Sequence, residues 1–216
     1  TVVIKPAELT PLTTLLFATI LQEAGLPDGV VNVLTTSRSG EVAAPIIADP
    51  RLRKLSFTGS TQVGRRLMAQ AAEGVLRVSM ELGGNAPFIV FEDADLDKAV
   101  EGAMLAKFRN IGQACTAANR FIVHASVLEA FADRITERVS AMALGRGTEP
   151  GVEIGPLIDE KAVAKASELV ADAVRRGATV RTGGAVPEGE GTFYEPTVLV
   201  DVPASADIMR EEIFGP

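Results

Sequence analysis

Short runs rich in Val and Ile alternate with stretches of helical periodicity from one end of this chain to the other. TVVI precedes Thr10 to Ala24, VVNVL precedes Gly40 to Ala48, KLSF precedes Thr61 to Ala72, and RVSMEL closes a first series. Parallel strands need a crossover between them, usually a helix, so this rhythm predicts βαβ units in an α/β fold with a mostly parallel sheet.

A second series starts at PFIVF. Asp95 caps its first helix, which carries Leu96, Ala99, Val100, Ala103 and Met104 on one face. After RFIVH, Ser126 and Glu129 match a capping box ahead of a helix with inner residues Leu128, Phe131, Ile135, Val139 and Met142. A third helix opens at Asp159, carries Val163, Ala166, Val170 and Val174 inward, and stops at Gly177. ATVRT and PTVLVDV complete the series. The seam between the two series falls at Gly83 and Gly84, predicting domains at 1–82 and 83–216 with a ligand cleft where two lobes meet.

At 216 residues with 47% hydrophobic composition, the chain is long enough for a packed core. Its formal charge of −7 offers no electrostatic footprint for nucleic acid or an anionic membrane, which leaves a small-molecule partner. No apolar run is long enough for a membrane span. One Cys and one His exclude an internal disulfide and the usual structural zinc site, so no metal is expected and a reducing, cytoplasmic setting is. The chain starts without Met on a strand-like run and ends at EEIFGP, which reads as a piece cut at both ends.

The lone Cys115 lies in FRNIGQACTAANR, among small and amide-bearing neighbours, between a helix ending near Phe108 and a strand at Phe121. A loop thiol can meet a substrate, and as thiolate it is a strong nucleophile. Its base could be His124, nine residues on, giving a Cys/His hydrolase, or Glu81 in SMELGGN, where two glycines allow close approach. In FTGSTQVG, a Gly-Ser turn opens a helix. The turn suits either a pyrophosphate on free N–H groups or an ordinary serine cap. GRGTEPG follows a helix and has the wrong spacing for a dinucleotide fingerprint.

Taken together, KPAELTP, FTGSTQVG, MELGGNAPFIVF, FRNIGQACTAANR and EEIFGP resemble, in order and spacing, the aldehyde dehydrogenase superfamily along the whole chain. FRNIGQACTAANR, VEIGPLIDEKAVAK and LVDVPASAD are most similar to its succinate-semialdehyde dehydrogenases. The resemblance implies part of a variant Rossmann cofactor domain followed by part of an α/β catalytic domain. It implies that Cys115 attacks the aldehyde, with its backbone N–H as one oxyanion donor, and that Glu81, partly buried, activates the hydrolytic water. Lys5 and Glu8 would face the adenine ribose, Gly59 and Ser60 the pyrophosphate, Leu82 and Glu212 the nicotinamide end, with Phe214 packed nearby. Arg109 would bind the distal carboxylate of a semialdehyde. NAD or NADP is implied, and a carboxylate at Glu8 favours NAD because it repels a 2′-phosphate. Thr116 and Ala117 stand where some relatives carry a second cysteine. The resemblance further implies a homo-oligomer, and a piece lacking the oxyanion asparagine is expected to be poorly active.

Overall fold

The computed structural model describes all residues, Thr1–Pro216. The chain divides into two compact units, Thr1–Leu82 and Gly83–Pro216.

In the first unit, β1 (Val2–Ile4) returns through α1 (Leu12–Glu23) to pair in parallel with β2 (Val31–Val33). After α2 (Ser39–Ala48), β3 (Lys54–Gly59) returns through α3 (Thr61–Glu73) to pair in parallel with β4 (Arg77–Leu82). The expected βαβ rhythm is therefore present. The pairing is parallel as expected, in two separate two-stranded ladders. Periodicity identifies a strand from its own residues, whereas partner choice depends on what lies beside its edge. A packed core was also expected, yet only Ile47 and Ala71 are buried hydrophobics here, and Leu12, Leu15, Leu16, Phe17 and Ile20 of α1 are exposed. The apolar residues of α1 thus lie at the surface of this unit.

The second unit holds the packed cores. Here β5 (Ala86–Val90) returns through α4 (Leu96–Phe108) to pair in parallel with β6 (Ala118–Val123). Then follow α5 (Leu128–Ser140), α6 (Glu160–Arg175) and the pair β7 (Thr179–Thr182) and β8 (Val198–Val200), which is antiparallel. Val90, Val100, Ala103, Phe131, Ile135 and Val139 form one cluster between β5, α4 and α5. Leu169, Ala173 and Ile208 form a second, and Leu157, Ala166 and Tyr194 a third.

Asp95 caps α4, its Oδ1 accepting from the N–H groups of Asp97 and Lys98, and Asp159 caps α6 through the N–H of Ala162, both as expected. Three local expectations are corrected. The Ser126 capping box does not form: Val127 occupies the cap of α5, and Ser126 Oγ lies 2.8 Å from His124 Nδ1, so the hydroxyl is engaged by the ring. Met142 lies beyond the end of α5 at Ser140. On α6 the buried residues are Ala166, Leu169 and Ala173, while Val174 is 43% exposed, because the helix serves two clusters and its inner face turns toward both.

Candidate functional site

In the first unit, the parallel register of β3 and β4 sets Thr58 beside Glu81 and Gly59 beside Leu82. Four of the candidate residues (Gly59, Ser60, Glu81, Leu82) thus gather at the carboxyl ends of two neighbouring strands, the usual ligand position in open α/β sheets. Ser60 caps α3, its Oγ accepting from the Val63 N–H at 3.3 Å. The cap takes only one of the first-turn donors, so the positive end of a 13-residue helix keeps free N–H groups. A Cβ at Gly64 would fall 2.5 Å from Leu82 Cδ2, so glycine there lets α3 seat against the end of β4. Both features fit a pyrophosphate at this turn. Lys5 and Glu8 follow the carboxyl end of β1 and are exposed, and Lys5 Nζ donates to Pro6 O at 2.6 Å. Glu81 is exposed, without the partial burial that was expected.

The second unit builds the cysteine loop. α4 ends at Phe108, and Arg109 leaves the helix with φ −53° and ψ 128°. Asn110, Ile111 and Gly112 then take φ values of 54°, 50° and 76°, a left-handed turn. Asn tolerates this region; for Ile, with its branched Cβ, it is strained. Ile111 packs against the cluster of Leu157, Ala166 and Tyr194, which offsets that strain. Gly112 is obligatory, because a Cβ there would lie 2.1 Å from Gly215 O. Asn110 O accepts from the Gln113 N–H at 2.9 Å, and Gln113 Oε1 accepts from the Ile158 N–H at 2.9 Å. Cys115 emerges from this braced turn exposed, just ahead of β6.

Parallel pairing of β5 with β6 sets Ala86 beside Ala118, so Gly83 to Asn85 enter the sheet at the same end as the cysteine loop. Arg120 Nε donates to Asn85 O at 2.8 Å, and Asn85 Nδ2 donates to Ile208 O at 3.0 Å. Glu212 reaches back to the paired glycines: its Oε1 accepts from the Gly84 N–H at 3.3 Å, and a Cβ at Gly83 would fall 2.2 Å from Oε2. The close approach expected at Gly83 and Gly84 is made by this carboxylate. Phe214 is 42% exposed, and Gly215 backs the loop at Gly112. Arg109 is exposed, with no carboxylate partner in the chain.

The strand itself separates Cys115 from His124. The thiol precedes the six residues of β6 and the imidazole follows them, which puts roughly 20 Å of strand between them at ~3.3 Å per residue. His124 Nδ1 instead meets Ser126 Oγ and lies 3.8 Å from Glu92 Oε2. This geometry removes the Cys/His dyad.

Sequence reasoning missed Lys107. Its side chain is 8% exposed, and its Nζ donates to Asn119 Oδ1 at 2.7 Å. Burial pulls its pKa down from 10.5 to about 8. The signal was present, since Val100, Ala103 and Lys107 share the inner face of α4 at helical spacing. Lys107 also borders an apolar cavity of about 320 Å³ between β6, α5, α6 and β8, which Cys115 does not line.

A model of the aldehyde dehydrogenase family matches residues 1–216. A succinate-semialdehyde dehydrogenase of Paenarthrobacter nicotinovorans is 58% identical over 216 residues, covering all of this chain and 48% of that protein. A protein of Escherichia coli (strain K12) named as an NADP(+) succinate-semialdehyde dehydrogenase is 55% identical, with 100% and 45% covered. Among solved structures, an E. coli NADP-dependent enzyme superposes with a TM-score of 0.97 at 54% identity, over 100% of this chain and 45% of that one. The chain thus spans about half the length of the curated relatives it matches. No helix is long and apolar enough to cross a membrane.

Proposed function

The chain belongs to the aldehyde dehydrogenase family, and from that premise we propose that it carries the nucleophile and part of the cofactor cradle of an enzyme that oxidises an aldehyde to its carboxylic acid with NAD(P). The observation that carries this reading is the exposed Cys115 at the mouth of β6, presented by a strained turn whose every bend is braced. Strain held by its surroundings is characteristic of sites where a reacting atom must be aimed.

In this reading Cys115 Sγ, as thiolate, adds to the carbonyl carbon. Loss of hydride from that carbon leaves a thioester on Cys115, and water attacks it to release the acid and restore the thiol. The backbone N–H of Cys115 donates to the developing oxyanion. Glu81, at the end of β4, takes the proton from the attacking water. Gly59, Ser60 and the first turn of α3 hold the pyrophosphate, Lys5 and Glu8 the adenine ribose, and Leu82, Glu212 and Phe214 the nicotinamide end. When bound, the nicotinamide supplies the hydride acceptor. Residues 1–82 then serve as part of the cofactor domain and 83–216 as part of the catalytic domain.

Arg109, an unpaired guanidinium six residues before the thiol, suits the distal carboxylate of a semialdehyde, which makes succinic semialdehyde the proposed substrate. Two observations bear on the cofactor in opposite senses. The Glu8 carboxylate favours NAD, whereas NADP stands in the names of several of the matched proteins. A homo-oligomer in the cytoplasm completes the proposal.

The test uses the full-length protein with succinic semialdehyde and either NAD or NADP, following reduced-nicotinamide absorbance with Cys115→Ala as the blank. Turnover that vanishes in the blank supports the reading, and the faster cofactor tests the role of Glu8. Activity confined to uncharged aldehydes would remove the role given to Arg109, and no oxidation of any aldehyde would remove the function.

A further inference from the structure

Lys107 is the one buried charged residue of the chain. Its ammonium has three donors and one acceptor, Asn119 Oδ1, and no carboxylate lies within ion-pairing distance. Burying an unpaired cation is costly, so a lysine in this position calls for an explanation beyond packing. Burial alone accounts for the lowered proton affinity of the amine.

Its placement supplies that explanation. Lys107 is in the last turn of α4 and Asn119 is the second residue of β6. Their hydrogen bond joins residues 12 apart and closes the base of the segment that carries Cys115. The ammonium also sits directly under the left-handed turn: a Cβ at Gly112 would lie 3.1 Å from Nζ and against Gly215 O. One group therefore touches the exit of the helix, the floor of the turn and the entry of the strand.

We propose that Lys107 is a positioning residue for the Cys115 nucleophile, acting through Asn119 to clamp both ends of the cysteine loop. The inference rests on the role of Cys115 proposed above. Without the clamp the loop samples more conformations, and the thiol spends less time in the attacking geometry. A charged hydrogen bond of this kind corresponds to about a tenfold to hundredfold change in an equilibrium.

The test compares Lys107→Met, Asn119→Leu and the double variant in the full-length protein. It reads the rate of Cys115 alkylation by iodoacetamide, assigned by peptide mass, together with kcat and KM for an aldehyde and the urea midpoint. Each single variant is expected to slow alkylation about tenfold or more and to lower kcat more than it raises KM. The double variant should be no slower than the worse single, because both remove one bond. If Lys107→Met fails to fold, Asn119→Leu, which keeps the lysine, carries the test. Alkylation within twofold of the unsubstituted protein in the folded variants, or single effects that multiply, would overturn the proposal and leave Lys107 as a packing residue. If the unsubstituted protein oxidises no aldehyde while the alkylation pattern holds, the clamp stands and the dehydrogenase reading fails.

Discussion

The buried amine of Lys107 has a consequence for stability that is independent of catalysis. Its pKa falls from 10.5 to about 8 because burial disfavours the charged form. In the unfolded chain the amine regains the ordinary value, so between pH 8 and 10.5 the unfolded state binds more protons than the folded one. Stability therefore rises with pH through this window, the reverse of a lysine that gains an ion-pair partner. Below pH 8 both states are protonated and the full penalty of burial applies. At 1.36 kcal/mol per pKa unit, the penalty is about 3 kcal/mol, and about 2 kcal/mol of it is relieved between pH 7 and 9.5. Tyr194, whose pKa is raised by burial, acts in the opposite sense, but only as its phenol titrates near and above pH 10, so the comparison stops at pH 9.5. The assay is urea unfolding of the full-length protein and of Lys107→Met at pH 7, 8, 9 and 9.5. Every other titrating group is common to the two, so their difference isolates the lysine. The unsubstituted protein should gain about 2 kcal/mol on the variant across the series. Parallel pH profiles would show that the ammonium is solvated in the native state and would refute the reasoning.

Gly112→Ala forces a Cβ against Gly215 O at a φ of 76°, and is expected to lower stability by about 2 kcal/mol or more in thermal unfolding while slowing Cys115 alkylation. His124→Ala should leave that alkylation rate within twofold of the original, because β6 separates ring and thiol; a collapse in rate would reinstate the Cys/His dyad. Asp159→Ala removes the acceptor for the Ala162 N–H at the start of α6 and should cost about 1 kcal/mol in urea unfolding with no change in cofactor affinity.

Which parts of this molecule were legible in its sequence follows from the range of the interactions involved. The starts of α4 and α6 were readable because Asp95 and Asp159 act on N–H groups two or three residues away. The capping box at Ser126 failed because a competitor, His124, lay equally near and took the hydroxyl, which a motif of two letters does not register. Sheet extent was not readable, since the pairing of an edge is decided by chain far away in sequence. The same division runs through the site. That Cys115 stands on a loop follows from its small neighbours, and its exposure agrees. That the loop is braced by Gly112 against Gly215 and by Gln113 against Ile158 depends on contacts with residues 45 or more positions away, invisible to local pattern.

Lys107 marks the boundary between these regimes. Its helical spacing with Val100 and Ala103 assigned it to the buried face of α4, yet a lysine is ordinarily assumed to turn outward. The periodicity, not the propensity, decides its placement. A charged residue that keeps step with an apolar face contradicts its own solvation preference. At that position the surrounding fold must supply a partner, and here the partner is the amide of Asn119 at the far side of the cysteine.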